Sequence, residues 1–345
     1  MYGKYRGSGF FALRAQNDDG RGGLFLSFTA VKFSCVKIAV LCLVAALVAH
    51  AAPYDPPTWR DSTWDYRSED STDLAGEVSW LKVGGVASLT LIAYGAAYWL
   101  VFDKGWWDEQ GNHFHFENDF DYALNLDKFG HFASGVAMGE LFYEGYRWAG
   151  ATEFQSYLFA GLSAMMTHVA IDVKDAYSPE WGFSIFDVLS GTLGGFLPMA
   201  ERYVPLFKYV DLKWSYWINS RAYYDQGKID GKNHTCVFTD DYVNQTFWAS
   251  FKIYRMLPAA VRSYYPSWLA FAAGLSIDDG VFLHNKEITP HREVYIALDY
   301  DLEAFRPQSR MARTLIKSLN YFKLPAPAVQ VYPEFHWFLL YPIKF

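Results

Sequence analysis

The sequence predicts an α+β protein with two parts: an N-terminal helical bundle, membrane-embedded or membrane-attached, and a β-rich C-terminal region. Its 345 residues are 52% hydrophobic but only 19% charged, whereas a soluble domain carries about 25% charged residues. Helical stretches with few charges lie between residues 83 and 198, and short aromatic and β-branched runs follow Pro205. We therefore divide the chain into a leader at 1–51, a linker at 52–78, a helical domain at 79–200 and a β-rich region at 201–345.

The leader has the features of a secretory signal peptide. Lys32 and Lys37 precede the uncharged run from Ile38 to Ala49, and Ala49-His50-Ala51 forms an Ala-x-Ala cleavage pattern. A short first transmembrane helix is the alternative, but this run is shorter than the roughly 20 residues that cross a bilayer. We therefore predict an exported protein of the cell envelope.

The composition also indicates the partners. The net charge of −7 provides no basic excess to meet phosphates, which argues against nucleic-acid binding. The 13 Trp and 25 Tyr in a charge-poor chain are typical of a membrane interface. We expect the lipid bilayer and other envelope components as partners.

Four helical segments are predicted. Val83 to Phe102 is a run of 20 residues without a charge, which fits a membrane span or a buried core helix. Further helices are predicted at 127–148, at 152–175, and from Ser184, a favourable N-cap, to just before Pro198. Gly194-Gly195 in the last of these is a close-packing pair rather than a phosphate-binding loop.

Period-two alternation and short aromatic and β-branched runs predict the strands. At 113–122, His113, His115, Glu117, Asp119 and Asp121 would share one face, which favours a solvated face over a metal site. Further strands are predicted at 268–277, 294–302 and 328–332. Apolar residues at every second position back from Phe345 are typical of the last strand of an outer-membrane barrel, although Pro342 counts against it.

A few polar residues in the apolar helices form the candidate site. Asp127 and His131 are four residues apart and share a helix face, and His168, Asp172 and Asp175 share another. Ionisable groups in such helices are costly and usually point inward to partners. The full candidate cluster is Asp127, Lys128, His131, His168, Asp172, Asp175, Ser184 and Asp187.

This cluster allows three chemistries. A divalent metal, the one candidate cofactor, would bind carboxylate and imidazole ligands, and the metal candidates are His131, His168, Asp172 and Asp175. Alternatively, Lys128 and the histidines neutralise the carboxylates in a structural ion-pair network. The third reading is general acid–base catalysis by a perturbed carboxylate.

Several motifs resemble a known family. DKFGHF at 127–132 and DVKDAYSPEWGFSIFDVLSGTLGG at 172–195 resemble the YfiM-like family of periplasmic lipoproteins, and the layout is similar to that of the VanZ-like membrane proteins. DDYVNQTFWAS at 240–250 and YYPSWLAFAAGLSIDDG at 264–280 resemble the longer members. The resemblance implies an envelope membrane protein and supplies no established reaction.

The sequence departs from that family at three positions. Asp172 replaces the usual Glu, Ala176 replaces a Gly, and Gly191 stands where an Asn is expected. The lipid-attachment cysteine is also missing. These differences weaken a catalytic reading that needs every polar member.

Three functions follow as hypotheses. The first is a non-enzymatic envelope protein whose buried Asp/Lys/His cluster is structural or binds a small ligand. The second is a membrane-bound, metal-dependent hydrolase or transferase acting on a lipid or a cell-wall precursor. The third is an outer-membrane barrel or channel.

Overall fold

The computed structural model describes residues 78–86, 88, 111–179, 181–229, 239–281, 289–305 and 310–343. The predicted leader, nearly all of the linker and most of the uncharged run at 83–102 lie outside these residues. The predictions of export and of a first membrane span therefore stay predictions.

The helical part contains the three helices expected after residue 126. After a helical segment at 80–86, its helices are α1 (Leu126–Trp148), α2 (Glu153–Asp175), α3 (Ile185–Gly195) and α4 (Leu197–Tyr203). Thr152 begins α2 with a capping box, because its side chain accepts from Gln155 N while the Gln155 side chain accepts from Thr152 N. Ser184 caps α3 as predicted, accepting from Asp187 N at 3.2 Å.

Glycine allows α1 and α3 to pack with their backbones in contact. A Cβ built on Gly139 would lie 2.6 Å from the carbonyl oxygen of Gly195. The predicted role of Gly194-Gly195 as a close-packing pair is therefore confirmed, since small residues let helix backbones approach.

The predicted strand at 113–122 is wrong. This segment forms only one isolated parallel bridge, Phe116 to Phe183, and ends in a 3-10 turn at Tyr122–Asn125. Its alternate aromatic side chains pack instead against rings such as Phe183 and Tyr177. Tertiary packing, not a strand ladder, therefore accounts for the alternation.

The C-terminal part is an antiparallel sheet whose six strands follow one another in sequence order. They are β1 (Val210–Tyr216), β2 (Gln245–Phe251), β3 (Leu269–Ile277), β4 (Arg292–Tyr300), β5 (Ala326–Tyr332) and β6 (His336–Tyr341). Between them lie the helices α5 (Ala222–Ile229), α6 (Ile253–Met256), α7 (Ala259–Arg262) and α8 (Arg310–Asn320). The chain is thus a mixed helical and antiparallel-sheet protein, as predicted.

The strand predictions after residue 205 match the observed elements. The predicted strands at 268–277, 294–302 and 328–332 correspond to β3, β4 and β5 within a few residues. The predicted terminal strand is β6, which ends at Tyr341. In the described residues, β1 and β6 are the outer strands of the sheet. The outer-membrane barrel stays a prediction.

One apolar cluster joins the two parts of the molecule. The beginning of α1 contributes Leu126, the segment before β2 contributes Tyr242, and the strands contribute Phe247 and Ile277. Leu126 and Ile277 are fully or almost fully buried. This cluster positions the N-terminal turn of α1, and with it the candidate site, against the sheet.

Candidate functional site

Lys128 is the centre of the site. Its Nζ lies 2.7 Å from Asp119 Oδ2, 2.6 Å from Asp127 Oδ2 and 2.5 Å from Asp187 Oδ1. The ammonium group and the Asp127 and Asp187 carboxylates are buried. We call these four residues together with His131 the Lys128 cluster.

His131 provides the second positive group of the Lys128 cluster. Its Nε2 lies 3.5 Å from Asp127 Oδ1 and 3.6 Å from Asp187 Oδ1. Burial by itself would lower the pKa of His131, but the charge of Asp127, with smaller contributions from other carboxylates, outweighs burial and raises the pKa to about 9. His131 is therefore expected to be protonated at neutral pH and to provide a second cation beside Lys128.

The carboxylates respond unequally to this environment. Burial raises the pKa of Asp187, and the neighbouring charge of Asp127 raises it further. For Asp127, burial is outweighed by the charges of His131 and Lys128, which hold its pKa well below the usual range. The cluster therefore keeps Asp127 ionised most firmly.

The Lys128 cluster is attached directly to the sheet region. The Tyr242 hydroxyl, in the 3-10 turn that leads into β2, donates a hydrogen bond to Asp127 Oδ1. Burial, the largest cause, raises the pKa of Tyr242 well above its ordinary value, as does the charge of Asp127. Tyr242 is therefore a neutral hydrogen-bond donor.

A second polar group lies beside the Lys128 cluster. The Nδ1 of His168 lies 2.9 Å from the carbonyl oxygen of Ala164, which can only accept, so Nδ1 carries a proton. The Ser134 hydroxyl lies 3.0 Å from His168 Nε2 and 2.8 Å from the His131 carbonyl oxygen. The rings of His168 and His131 are 5.9 Å apart between centroids.

Asp172 and Ser184 connect α2 to the start of α3. Asp172 Oδ1 accepts from Ser184 N at 3.0 Å, and the Ser184 hydroxyl donates to Asp119 Oδ1 at 2.5 Å. Asp119 therefore contacts both Lys128 and Ser184, so it links this pair to the Lys128 cluster.

The eight predicted residues separate into three sets. Asp127, Lys128, His131 and Asp187 form the Lys128 cluster, while His168, Asp172 and Ser184 lie beside it. Asp175 lies at the end of α2 and is not one of the carboxylates on Lys128. Sequence reasoning missed Asp119, Ser134 and Tyr242. Asp119 was assigned to a strand, and Tyr242 is 115 residues from its partner.

The donors that could hold a metal differ from the predicted set. Among the described residues, Asp127, His131 and Asp187 offer ligand atoms that lie within 4.8 Å of one another. Only His131 belongs to the predicted metal candidates, because His168 and Asp172 form hydrogen bonds to Ala164 and Ser184 instead. The Lys128 ammonium already contacts Asp127 and Asp187, so a divalent ion would have to displace it.

Stability should fall as the pH rises through the range in which His131 loses its proton. The pKa of His131 is about 9 in the folded protein and about 6.5 in an unfolded chain. The stabilisation that protonated His131 gives to the folded state is therefore fully present below about pH 6.5 and is lost as the pH rises through about 9. We expect the His131 contribution to the free energy of unfolding to drop by about 3 kcal/mol between about pH 6 and about pH 10, measured by urea unfolding.

His131→Gln is the control for this prediction. The variant cannot bind the proton at this position, so its stability should depend less on pH over the same range. Part of the slope should remain, because Asp187 also has a raised pKa and acts in the same direction. An equal slope in the variant and the wild-type protein would contradict the assignment to His131.

Comparison with protein-family models, with curated proteins and with solved structures finds no match for this chain. The resemblance to the YfiM-like and VanZ-like families therefore stays a prediction. Function is inferred from the geometry of the Lys128 cluster and from the distribution of apolar side chains.

Proposed function

We propose that this chain is a non-enzymatic, membrane-attached protein of the cell envelope, in which the Lys128 cluster holds the helices and the sheet together. The observation that carries the proposal is the position of Lys128 Nζ, within 2.7 Å of carboxylates from three segments of the chain. The positive charge that three carboxylates require is supplied by the protein itself. A structural role follows from this arrangement without a bound ion or a substrate.

The connections of the cluster support the same role. Asp119 lies before α1, Asp127 and Lys128 begin α1, and Asp187 lies in the first turn of α3. Tyr242 adds the segment that leads into β2. The cluster thus ties together elements that are far apart in sequence, and buried ionic groups can fix such a register.

The outward surfaces of α2 and α3 support attachment to lipid. These helices direct His168, Asp172 and Asp187 inward and expose large apolar side chains, the reverse of a soluble surface helix. The exposed set is Phe154, Phe159, Leu162, Met166, Val173, Ile185, Phe186, Leu189 and Leu193. Side chains of this kind are expected against the apolar part of a bilayer.

Helix length favours attachment over a bundle that crosses the bilayer. In the described part of the chain, α2 is the one helix long and apolar enough to cross, and 39% of its most apolar window is buried in the protein. Helix α3 has 11 residues, which corresponds to about 16 Å, against about 30 Å of hydrocarbon. Helix α1 is less suited to crossing a bilayer, because it contains the charged residues Asp127, Lys128, Glu140, Glu144 and Arg147.

A metal-dependent hydrolase or transferase acting on a lipid or cell-wall precursor is the second candidate. It is favoured by the convergence of Asp127, His131 and Asp187. Asp172 Oδ2 is also buried without a hydrogen-bond partner among the described residues. This function would require Lys128 to leave two of the carboxylates that it contacts.

Elemental analysis distinguishes the two candidates. We expect purified protein, incubated with Zn²⁺ or Mn²⁺ and desalted, to retain far less than one ion per chain, because Lys128 occupies the position between the carboxylates. The control is His131→Gln, which removes one of the three donors. About one ion per wild-type chain, lost in this variant, would overturn the structural proposal and support the metal-dependent one.

A further inference from the structure

We propose that the uncovered apolar face of strands β3 to β6 is a lipid-contact surface, with the hydrocarbon of a bilayer as its partner. The inference deepens the proposed function, because it names a second attachment surface besides the helices. It depends on a different observation, which is the distribution of side chains on the two faces of the sheet. We call the two sides the polar face and the apolar face.

The polar face is the side that the protein buries. On β1 the buried residues are Asp211, Lys213 and Ser215, at alternate positions of the strand. Lys213 Nζ lies 2.9 Å from Asp299 Oδ2 of β4, and each side chain is 1% exposed. A sheet that packs on a protein core normally buries apolar residues and exposes polar ones. Here the buried side carries these charged residues together with an apolar cluster that includes Trp248, Tyr295 and Tyr341, and the opposite side is apolar.

Further contacts explain how the polar face is filled. Asn320 of α8 donates to Asp211 Oδ2 at 2.9 Å and accepts from Lys213 Nζ at 3.1 Å. Trp248 donates to Ser215 Oγ at 2.9 Å. Asp211 and Lys213 are therefore paired on this side, whereas Ser250 Oγ and Asp299 Oδ1 are buried there without a hydrogen-bond partner among the described residues.

The apolar face presents continuous rows of hydrophobic side chains across the strands. Strand pairing aligns Ala273, Ile296, Val329 and Trp337 in one row from β3 to β6. Exposure along this side is high, with Ile296 53%, Leu339 62% and Trp337 71% exposed. Helix α1 covers the other end of the same face, where Phe129 packs against Phe247 at 5.5 Å between ring centroids.

The ends of this surface are aromatic. At one end, Trp268 stacks on Tyr300, with 5.9 Å between the ring centroids. At the opposite end, Tyr332, Phe335 and Trp337 are each more than half exposed. Trp and Tyr concentrate at membrane interfaces, where one part of the ring is apolar and the other is hydrated.

This combination favours lipid over a protein partner. Membrane β-structure faces lipid with apolar side chains and keeps its polar side chains on the inner side, as this sheet does. At the outer strand β1, Trp214 exchanges backbone hydrogen bonds with Tyr321 and Lys323. These bonds pair the backbone of one residue at this edge, as contact with hydrocarbon requires of backbone groups.

Site-specific quenching tests the inference on the full chain. In a background with Cys35, Cys42 and Cys236 changed to Ser, Ile296→Cys and His336→Cys would each carry an environment-sensitive fluorophore. The protein would be reconstituted with phosphatidylethanolamine–phosphatidylglycerol vesicles and isolated by flotation. Ile296 is 53% exposed on the apolar face, and His336 is the matched control: its side chain is 57% exposed and it pairs with Gln330, whose side chain lies on the polar face.

We expect lipids carrying nitroxides on their acyl chains to quench the label at 296 at least about twofold more than the label at 336. Aqueous iodide should show the opposite preference. Protein that floats with equal quenching at both positions would overturn this inference and leave attachment through the helices standing. Protein that does not float would overturn both. Dimers cross-linked through position 296 would assign the surface to a second copy of the chain and would also overturn the inference.

Discussion

Replacing Lys128 with Met is expected to lower the free energy of unfolding by about 3–5 kcal/mol. Met has a similar length and no charge. The variant therefore leaves the side chains of Asp119, Asp127 and Asp187 close together without the ammonium group that contacts all three. Breaking a buried ion pair by removing one partner typically has a cost of this size. Urea or guanidinium unfolding of the wild-type protein and the variant measures the difference.

Lys317→Met is the matched control for this substitution. Lys317 Nζ lies 2.8 Å from Glu140 Oε1, but its side chain is 41% exposed, and a pair at that exposure contributes about 0–1 kcal/mol. In addition, Asp187→Asn introduced into Lys128→Met should restore part of the lost stability by removing one uncompensated charge. Equal, small losses in both lysine variants would show that the Lys128 cluster does not organise the fold.

Gly139→Ala is expected to destabilise the protein by about 1–3 kcal/mol, the usual cost of overpacking. The new Cβ would lie 2.6 Å from Gly195 O and 3.2 Å from Gly195 Cα. Both are backbone atoms of α3, so no side-chain rotation relieves the contact. The helices would have to separate, which would also disturb Asp187 in α3 and its contact with Lys128. Thermal or denaturant unfolding measures this change.

Gly84→Ala is the control for this substitution, because Gly84 also lies in a helix but has open space around it. No heavy atom lies within 4 Å of a Cβ built on Gly84, and Ala is favoured over Gly in a helix by about 0.8–1.0 kcal/mol. The control should therefore be neutral or slightly stabilising. If Gly139→Ala behaved in the same way, α1 and α3 would not pack as closely as described.

The packing of His168 accounts for a glycine at position 191. The His168 ring lies directly against the Gly191 backbone, where a Cβ would overlap it. The imidazole therefore occupies the space that a larger side chain would need.

The positions of most elements were predictable because local patterns determine them. Few charges and helical spacing predicted α1 to α3. Strict alternation predicted β4, and short aromatic and β-branched runs predicted β3 and β5. The same alternation failed at 113–122, because period two in a sequence does not reveal whether a neighbouring strand is present to pair with it. There, Phe114 and Phe116 pack against other rings.

The sequence by itself determined the division into helical and β-rich parts, the N-cap at Ser184, and the helix faces that carry Asp127, His131 and His168. Only the tertiary structure decided which charges meet. Asp119 and Tyr242 join Lys128 and Asp127 through contacts that cross the chain, and spacing along one helix contains no information about such contacts. It also decided which side of the sheet is buried, since alternation separates two faces but does not say which of them the rest of the protein covers.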